Sequence, residues 1–213
     1  MAVAFSWPCK VSVEVYSKWG RKVLAPRPTC ARCGAPMAFD GGYPRWVREA
    51  GKCYSVFVRR ARCRGCGIGE ALLPDFVLAR RRDSTAAVGA AVLPSAGAVL
   101  AEGSTSLYQG VPARTVRSWR HRFTERAGEL SRFFEALAAE RGASALPGRL
   151  AGAPAEQAVV AIGRFWQAAR RRTGEVPPAW FLANLVVGSG LLGARVDLPW
   201  PCKSRHICRS RDP

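Results

Sequence analysis

Two Cys-x2-Cys pairs constrain the fold of this 213-residue chain more than any other feature. They consist of Cys30 with Cys33 and of Cys63 with Cys66, and a glycine follows each pair. A turn of this kind directs both sulfurs at one centre, and the glycine permits the tight reversal. Four thiolates are the tetrahedral set that zinc prefers, and they leave no open position for a catalytic water. The sequence therefore predicts one structural zinc site, with an iron–sulfur cluster as the alternative use of the same ligands.

The remaining cysteines lack such pairing. Cys53 lies at the start of an expected strand, and we interpret it as a small buried apolar side chain. Cys202, His206 and Cys208 have the spacing of a second metal site, for which Cys9 is a candidate fourth ligand. No paired turn exists in this tail, so we favour the alternative that its cysteines are incidental.

The patterns along the chain indicate an α+β fold that is mostly α. Residues 28–66 are typical of a β-hairpin that carries the cysteine pairs, with a turn predicted at Asp40–Gly42. A short helix with Ser12 as its N-cap is predicted before this hairpin. Several helices are expected after it. One covers 85–100 with an interruption at Pro94, and another begins at Pro112. Two more follow, of which the first ends at Gly174 and the second runs from Pro178 to about Leu192.

These patterns divide the chain into three regions. Residues 1–82 form the zinc ribbon with a basic junction, residues 83–141 a helix-turn-helix with an extended helix, and residues 142–213 a linker, C-terminal helices and a basic tail. Two uncharged stretches, 84–101 and 176–194, approach the length of a membrane span. Proline and glycine interrupt them, so we interpret both as core helices and expect no membrane partner.

The balance of charge indicates a polyanionic partner. The chain has 33 Lys and Arg against 15 Asp and Glu, a net charge of +18, and residues 1–82 hold 16 basic and 5 acidic side chains. Nucleic acid and anionic lipid are the two partner classes that such a charge favours. The N-terminal segment lacks the basic region of a signal peptide, so a reducing cytoplasm is the expected location.

The segment from Gly110 to Phe123 has the pattern of a DNA-recognition helix. Gly110 makes a turn, Pro112 starts a helix, and the apolar face consists of Val116, Trp119 and Phe123. The opposite face carries the candidate DNA contacts Arg114, Arg117, Ser118 and His121. The alternative is an ordinary amphipathic helix with a solvated basic face.

Two features flank this segment. The junction run Arg80, Arg81 and Arg82 suits contact with DNA phosphates from a flexible linker, and a merely solvated linker is an equal alternative. The apolar stripe of the recognition helix continues through residues 127, 130, 134 and 137. It can form a homodimer seam, although packing against the C-terminal helices is the interpretation we favour.

Three segments together resemble a known family. They are Val58–Gly67, Leu72–Arg82 and Gly110–Trp119, and they are similar to an uncharacterised actinobacterial family that combines a zinc ribbon with a helix-turn-helix. That family resembles the N-terminal DNA-binding part of insertion-sequence transposases. The resemblance implies DNA binding and zinc on the four paired cysteines, and it implies no enzymatic activity. Residues 104–109 differ from the family's usual Arg-Arg-Ile-Ala-type helix.

We therefore expect a non-enzymatic protein that binds duplex DNA, as a transcription regulator or a mobile-element remnant. The region after residue 154 offers only Glu156, Glu175, Asp197 and Asp212, too few carboxylates on a helical region for a two-metal transposase centre. Two histidines in the whole chain exclude sites that need several imidazoles. The alternatives are an accessory subunit that recruits a separate transposase or polymerase, and a zinc-ribbon protein that binds RNA.

Overall fold

The computed structural model describes residues 3–96, 104–144, 152–187 and 191–192, and strands precede helices in it. The strands are β1 (Val3–Trp7), β2 (Met37–Glu49), β3 (Lys52–Cys63) and β4 (Gly69–Pro74). The helices are α1 (Val13–Trp19), α2 (Thr85–Val92), α3 (Ala113–Glu140), α4 (Pro154–Thr173) and α5 (Ala179–Val186). Short 3-10 helices cover Gly20–Lys22, Leu93–Ala96 and Ser104–Tyr108. The fold is α+β and mostly α, as the sequence predicts.

The four strands form one sheet in the order β1-β4-β3-β2. β2 and β3 are a long antiparallel hairpin, and β1 pairs with β4 in parallel. The predicted turn at Asp40–Gly42 is wrong, because β2 continues through these residues with a bulge between Phe39 and Gly42. A Cβ on Gly42 would lie 2.5 Å from the carbonyl oxygen of Val58, so the glycine allows close approach of the strands. The chain reverses instead at Ala50 and Gly51, both at positive φ.

The predicted N-cap of α1 is confirmed, and α2 has a cap of the same kind. The Ser12 hydroxyl accepts a hydrogen bond from the Val15 amide at 3.3 Å, and α1 begins at the next residue after Ser12. Ser84 caps α2 in the same way through the Ala87 amide at 3.0 Å. α2 ends before Pro94, as predicted, and residues 97–100 of the expected helix lie outside the described residues.

Two apolar clusters stabilise the molecule. One lies on the sheet and includes Tyr16, Val56 and Leu72. The other lies among the helices, where the ring of Phe134 on α3 packs 5.5 Å from that of Phe165 on α4. The extended stripe of α3 is buried in this second cluster, so its packing is intramolecular, the interpretation favoured over a dimer seam.

Hydrogen bonds join the sheet to the helices at the 82–85 segment. The Arg48 amide donates to the Arg82 carbonyl at 2.6 Å, and the Arg48 guanidinium pairs with Asp83 at 2.7 Å. The buried Asn184 amide of α5 donates to the Asp75 carbonyl at 3.2 Å. The expectation of a flexible junction is therefore wrong, because Arg48 of strand β2 holds Arg82 and Asp83 in place. In the described part of the chain, no helix has the length and apolar character that a membrane span requires.

Candidate metal centre and nucleic-acid interface

The two cysteine turns have the same backbone geometry. In the first, the Gly34 amide donates to the Cys30 carbonyl at 2.9 Å, and in the second the Gly67 amide donates to the Cys63 carbonyl at 3.0 Å. Both glycines have positive φ, at 74° and 73°. Each turn is thus closed by a residue that can adopt the left-handed conformation without strain. The first turn precedes β2 and the second ends β3, so the antiparallel pairing of these strands brings the turns together.

The four sulfurs form one cluster that can hold a metal ion. Cys30, Cys33, Cys63 and Cys66 place their Sγ atoms within 4.8 Å of one another. The separations are 3.5 Å for Cys30–Cys66, 3.4 Å for Cys33–Cys63 and 3.8 Å for Cys33–Cys66. A zinc–sulfur bond of about 2.3 Å in a tetrahedron requires sulfurs about 3.8 Å apart. The donor set and its spacing therefore fit a four-thiolate zinc site.

Backbone amides and neighbouring thiols shift the pKa values of the clustered cysteines. The Cys66 amide, together with the Cys33 thiol, lowers the pKa of the Cys63 thiol to about 6. The Ile68 amide also favours the thiolate of Cys66, but burial and the neighbouring thiols outweigh it and raise the pKa of Cys66 to about 11. One cysteine thus loses its proton easily, whereas a second thiolate beside it is unfavourable. A bound divalent cation would stabilise several thiolates together, because its positive charge offsets theirs.

The other cysteines do not join this cluster. Cys53 is exposed on β3, so its interpretation as a buried apolar side chain is wrong. It lies near the hairpin end, opposite Arg48. Cys9 is half-buried against the sheet core, and burial raises the pKa of its thiol. Cys202, His206 and Cys208 lie outside the described residues.

The helix predicted from Pro112 onward forms, and it is extended as predicted. α3 runs from Ala113 to Glu140, and the element before its turn is the 3-10 helix Ser104–Tyr108. Val116, Trp119 and Phe123 are buried as predicted. The helix therefore docks through the expected apolar face, and the residues described just before its turn form a 3-10 helix.

The candidate DNA contacts on α3 occupy its outward face. Arg114, Arg117 and His121 are exposed, and Ser118 is half-buried. His121 Nε2 lies 3.3 Å from a carboxylate oxygen of Glu125, so acidic charge appears one turn further along the helix. An acidic side chain therefore follows the basic residues of the first turns of α3 on this face.

The three junction arginines differ in their exposure to solvent. Arg80 and Arg82 are exposed, and Arg80 adopts a positive φ of 59°. Arg81 is half-buried, and its guanidinium donates to the Leu192 carbonyl at 3.1 Å. Burial lowers the pKa of Arg81, and the nearby charge of Arg122 lowers it further. Two of the three side chains thus face solvent, and the third helps to anchor the C-terminal segment.

Sequence reasoning missed two features of this surface. Arg122 of α3 lies close enough to Arg81 to affect its pKa, so the positive charge of the junction continues onto the helix. The tip of the β2–β3 hairpin contacts the loop before α3, where the Ala50 amide donates to the Leu107 carbonyl at 2.8 Å. Both contacts are long-range, and no local pattern in the sequence signals them.

Comparison with known proteins gives one match. Residues 30–119 match the model of a domain of unknown function, DUF6431. That range begins at the first zinc-type cysteine and ends within the N-terminal part of α3. Searches of curated proteins and of solved structures find no match.

Proposed function

We propose that this protein binds duplex DNA through the N-terminal turns of α3, with the zinc ribbon and the junction arginines contacting the phosphates. We also propose that it is related to the DNA-binding part of insertion-sequence transposases. In that case it acts as a transcription regulator or is a remnant of a mobile element. The observation that carries it is the exposure of Arg114 and Arg117 on a helix whose opposite face is fully packed. Such a helix can present guanidinium groups to base edges in a fixed orientation.

The anchoring of α3 supports a role in base recognition. The Arg120 guanidinium donates to the Ala91 carbonyl at the end of α2, at 2.8 Å. Trp119 is fully buried, and the ring of Phe123 packs 5.8 Å from that of Trp180. Base recognition requires a side chain that starts from a rigid backbone, because a bidentate pair tolerates little displacement.

The surrounding charge supports attraction of a polyanion. Arg60, Arg64, Arg80 and Arg82 are basic side chains of the ribbon and the junction, and Arg64, Arg80 and Arg82 among them lie at turns or loops. Phosphate contacts from such side chains carry affinity and salt dependence but no sequence information. We therefore assign positioning to these arginines and base reading to α3.

We further propose that the chain has no nuclease or strand-transfer activity. The Glu156 carboxylate accepts a hydrogen bond from the Ala153 amide at 3.0 Å, and Glu175 lies 3.4 Å from Lys10. These two carboxylates therefore serve a helix end and a surface ion pair. Magnesium-dependent DNA cleavage by the pure protein, abolished by Glu156→Gln or Glu175→Gln, would contradict this.

The test is selection of ligands by the zinc-loaded protein from random pools of duplex DNA and of RNA. The proposal predicts that duplex molecules sharing a short common sequence are enriched. Arg117→Ala should weaken the enrichment. Arg132→Ala removes the same charge from an exposed position further along α3 and should leave the selected sequence unchanged. Enrichment of RNA alone would favour the RNA-binding alternative, and duplexes without a common sequence would indicate nonspecific binding.

A further inference from the structure

We propose that one face of the β2–β3 hairpin binds an unpaired DNA strand by stacking bases on its aromatic side chains. The strand register defines this face. Trp46 is paired with Ser55, and Pro44 is paired with Phe57. Alternate residues of a strand share a face, so Trp46 and Phe57 are diagonal neighbours on the same side of the hairpin. Arg59 follows Phe57 by two residues and lies on that side as well.

Arginine side chains continue this face toward the cysteine turns. The guanidinium of Arg21 lies 5.9 Å from the Phe57 ring centre. Those of Arg27 and Arg59 lie 5.5 Å and 5.2 Å from the ring centre of Phe39. Contacts of this kind between a cation and a ring are attractive and hold the guanidinium in place. We call the whole set the aromatic stripe, and its members are Arg21, Arg27, Phe39, Trp46, Phe57 and Arg59.

The guanidinium of Arg59 is fixed by hydrogen bonds in addition to its ring contact. It donates to the carbonyl of Arg21 at 2.7 Å and to that of Val23 at 3.3 Å. The 3-10 helix that follows α1 is thereby held against β3. The part of the stripe around Arg59 is thus preorganised.

Exposure and charge favour a nucleic-acid strand as the occupant. Trp46 is 60% exposed, so its indole offers a free face, whereas Phe39 is 36% exposed. Several acidic groups of this region have basic partners. Asp40 pairs with Arg62 at 3.1 Å, Asp83 pairs with Arg48 at 2.7 Å, and Glu14 of α1 pairs with Lys18 at 3.0 Å. Glu49 is opposite Lys52 in the register. Unpaired strands bind where aromatic rings receive bases and nearby cations receive phosphates.

The position of the hairpin tip favours DNA. The tip contacts the loop before α3 through the hydrogen bond between Ala50 and Leu107, and a Cβ on Gly51 would lie 3.8 Å from the Gln109 side-chain oxygen. This loop leads directly into the first turns of α3, to which the proposed function assigns duplex DNA. The choice of DNA rests on the proposed function, whereas base stacking on the stripe does not depend on it.

The test measures binding of a fluorescent oligothymidine of about 12 nucleotides to the full-length, zinc-loaded protein, a length within the usual site size. Trp46→Leu removes the ring but keeps an apolar side chain, and should weaken binding by about 5-fold to 150-fold, the effect of losing one stacked base. Trp46→Phe should retain most of the affinity. Tyr43→Leu is the matched control, because Tyr43 is 38% exposed but lies on the opposite side of the hairpin.

Duplex binding distinguishes this inference from the proposed function. Trp46→Leu should leave the affinity for a selected duplex unchanged, and Arg117→Ala should weaken the duplex complex while leaving oligothymidine binding intact. The inference is overturned if the wild-type protein does not bind oligothymidine, if Trp46→Leu has no effect, or if Tyr43→Leu weakens binding equally. Tighter binding of oligouridine than of oligothymidine would overturn the assignment to DNA.

Discussion

Cys63 shows how much of the metal centre depends on one side chain. Its thiol is buried, and the backbone amide of Cys66 favours its thiolate. Cys63→Ser should lower the zinc content from about one ion per chain to near zero and unfold the ribbon, because structural zinc contributes on the order of 10 kcal/mol to such modules. Metal analysis with circular dichroism checks this. Cys53→Ser, at an exposed cysteine outside the cluster, should keep the metal, and a folded wild-type ribbon without metal would contradict the assignment.

Asp75 gives the stability of the protein a pH dependence. Its side chain is buried, and burial raises the pKa of its carboxyl to about 6, from an ordinary value of 3.8. The folded state therefore binds the proton more tightly than the unfolded chain does. The stability linked to this proton is complete below pH 3.8 and is lost as the pH rises through about 6.

Asp75→Asn should remove this dependence. Between about pH 5.5 and about pH 8, the free energy of unfolding of the wild type should fall relative to that of the variant, by on the order of 1 kcal/mol. Urea denaturation with excess zinc at several pH values measures the difference. Parallel pH profiles for the two proteins would show that Asp75 does not titrate in this range.

At the scale of elements, α2 and α5 pack too closely to admit a methyl group. A Cβ on Gly89 would lie 2.7 Å from the Trp180 ring, which is buried and held by a 2.9 Å hydrogen bond to the Thr85 carbonyl. Alanine is favoured over glycine within a helix by about 1 kcal/mol, but overpacking costs about 1–3 kcal/mol. Gly89→Ala should therefore destabilise the protein by about 1 kcal/mol.

Gly128 on α3 is the matched control for this substitution. A Cβ there meets nothing within 4 Å, so Gly128→Ala should stabilise the protein by up to about 1 kcal/mol. Urea denaturation measures both variants. Equal stabilisation by the two alanines would mean that Trp180 moves aside and that the contact between α2 and α5 is loose.

Elements with local signals are predictable from the sequence, and elements defined by long-range pairing are not. Ser12 and Ser84 cap their helices with hydroxyls, and the cysteine turns carry their own spacing and glycines. The course of β2 through Gly41 and Gly42 depends on the bulge opposite β3, so a turn-like dipeptide is misleading there. The candidate metal ligands can therefore be assigned from the sequence, whereas the aromatic stripe requires the strand register.

At the scale of the whole molecule, contacts between the sheet and the helices hold two surfaces near each other. These are the aromatic stripe of the hairpin and the exposed face of α3. The hairpin tip contacts the loop before α3, and the junction joins Arg48 of β2 to Asp83. Within the described residues, exposed basic side chains form three groups, on the ribbon, on the junction and on the first turns of α3. The proposed function assigns phosphates to the first two and base edges to the third.

The central claim, that α3 reads sequence while the junction supplies charge, is tested most directly by duplex affinity across a salt series. Arg117→Ala should cost roughly 1–3 kcal/mol on the selected duplex and far less on a scrambled one. Replacing the exposed pair Arg80 and Arg82 with alanine should weaken both duplexes equally and flatten the salt slope by about one unit for each phosphate that is no longer neutralised. An Arg117→Ala variant whose affinity falls equally for both duplexes would show that α3 is only a basic surface and would contradict the account.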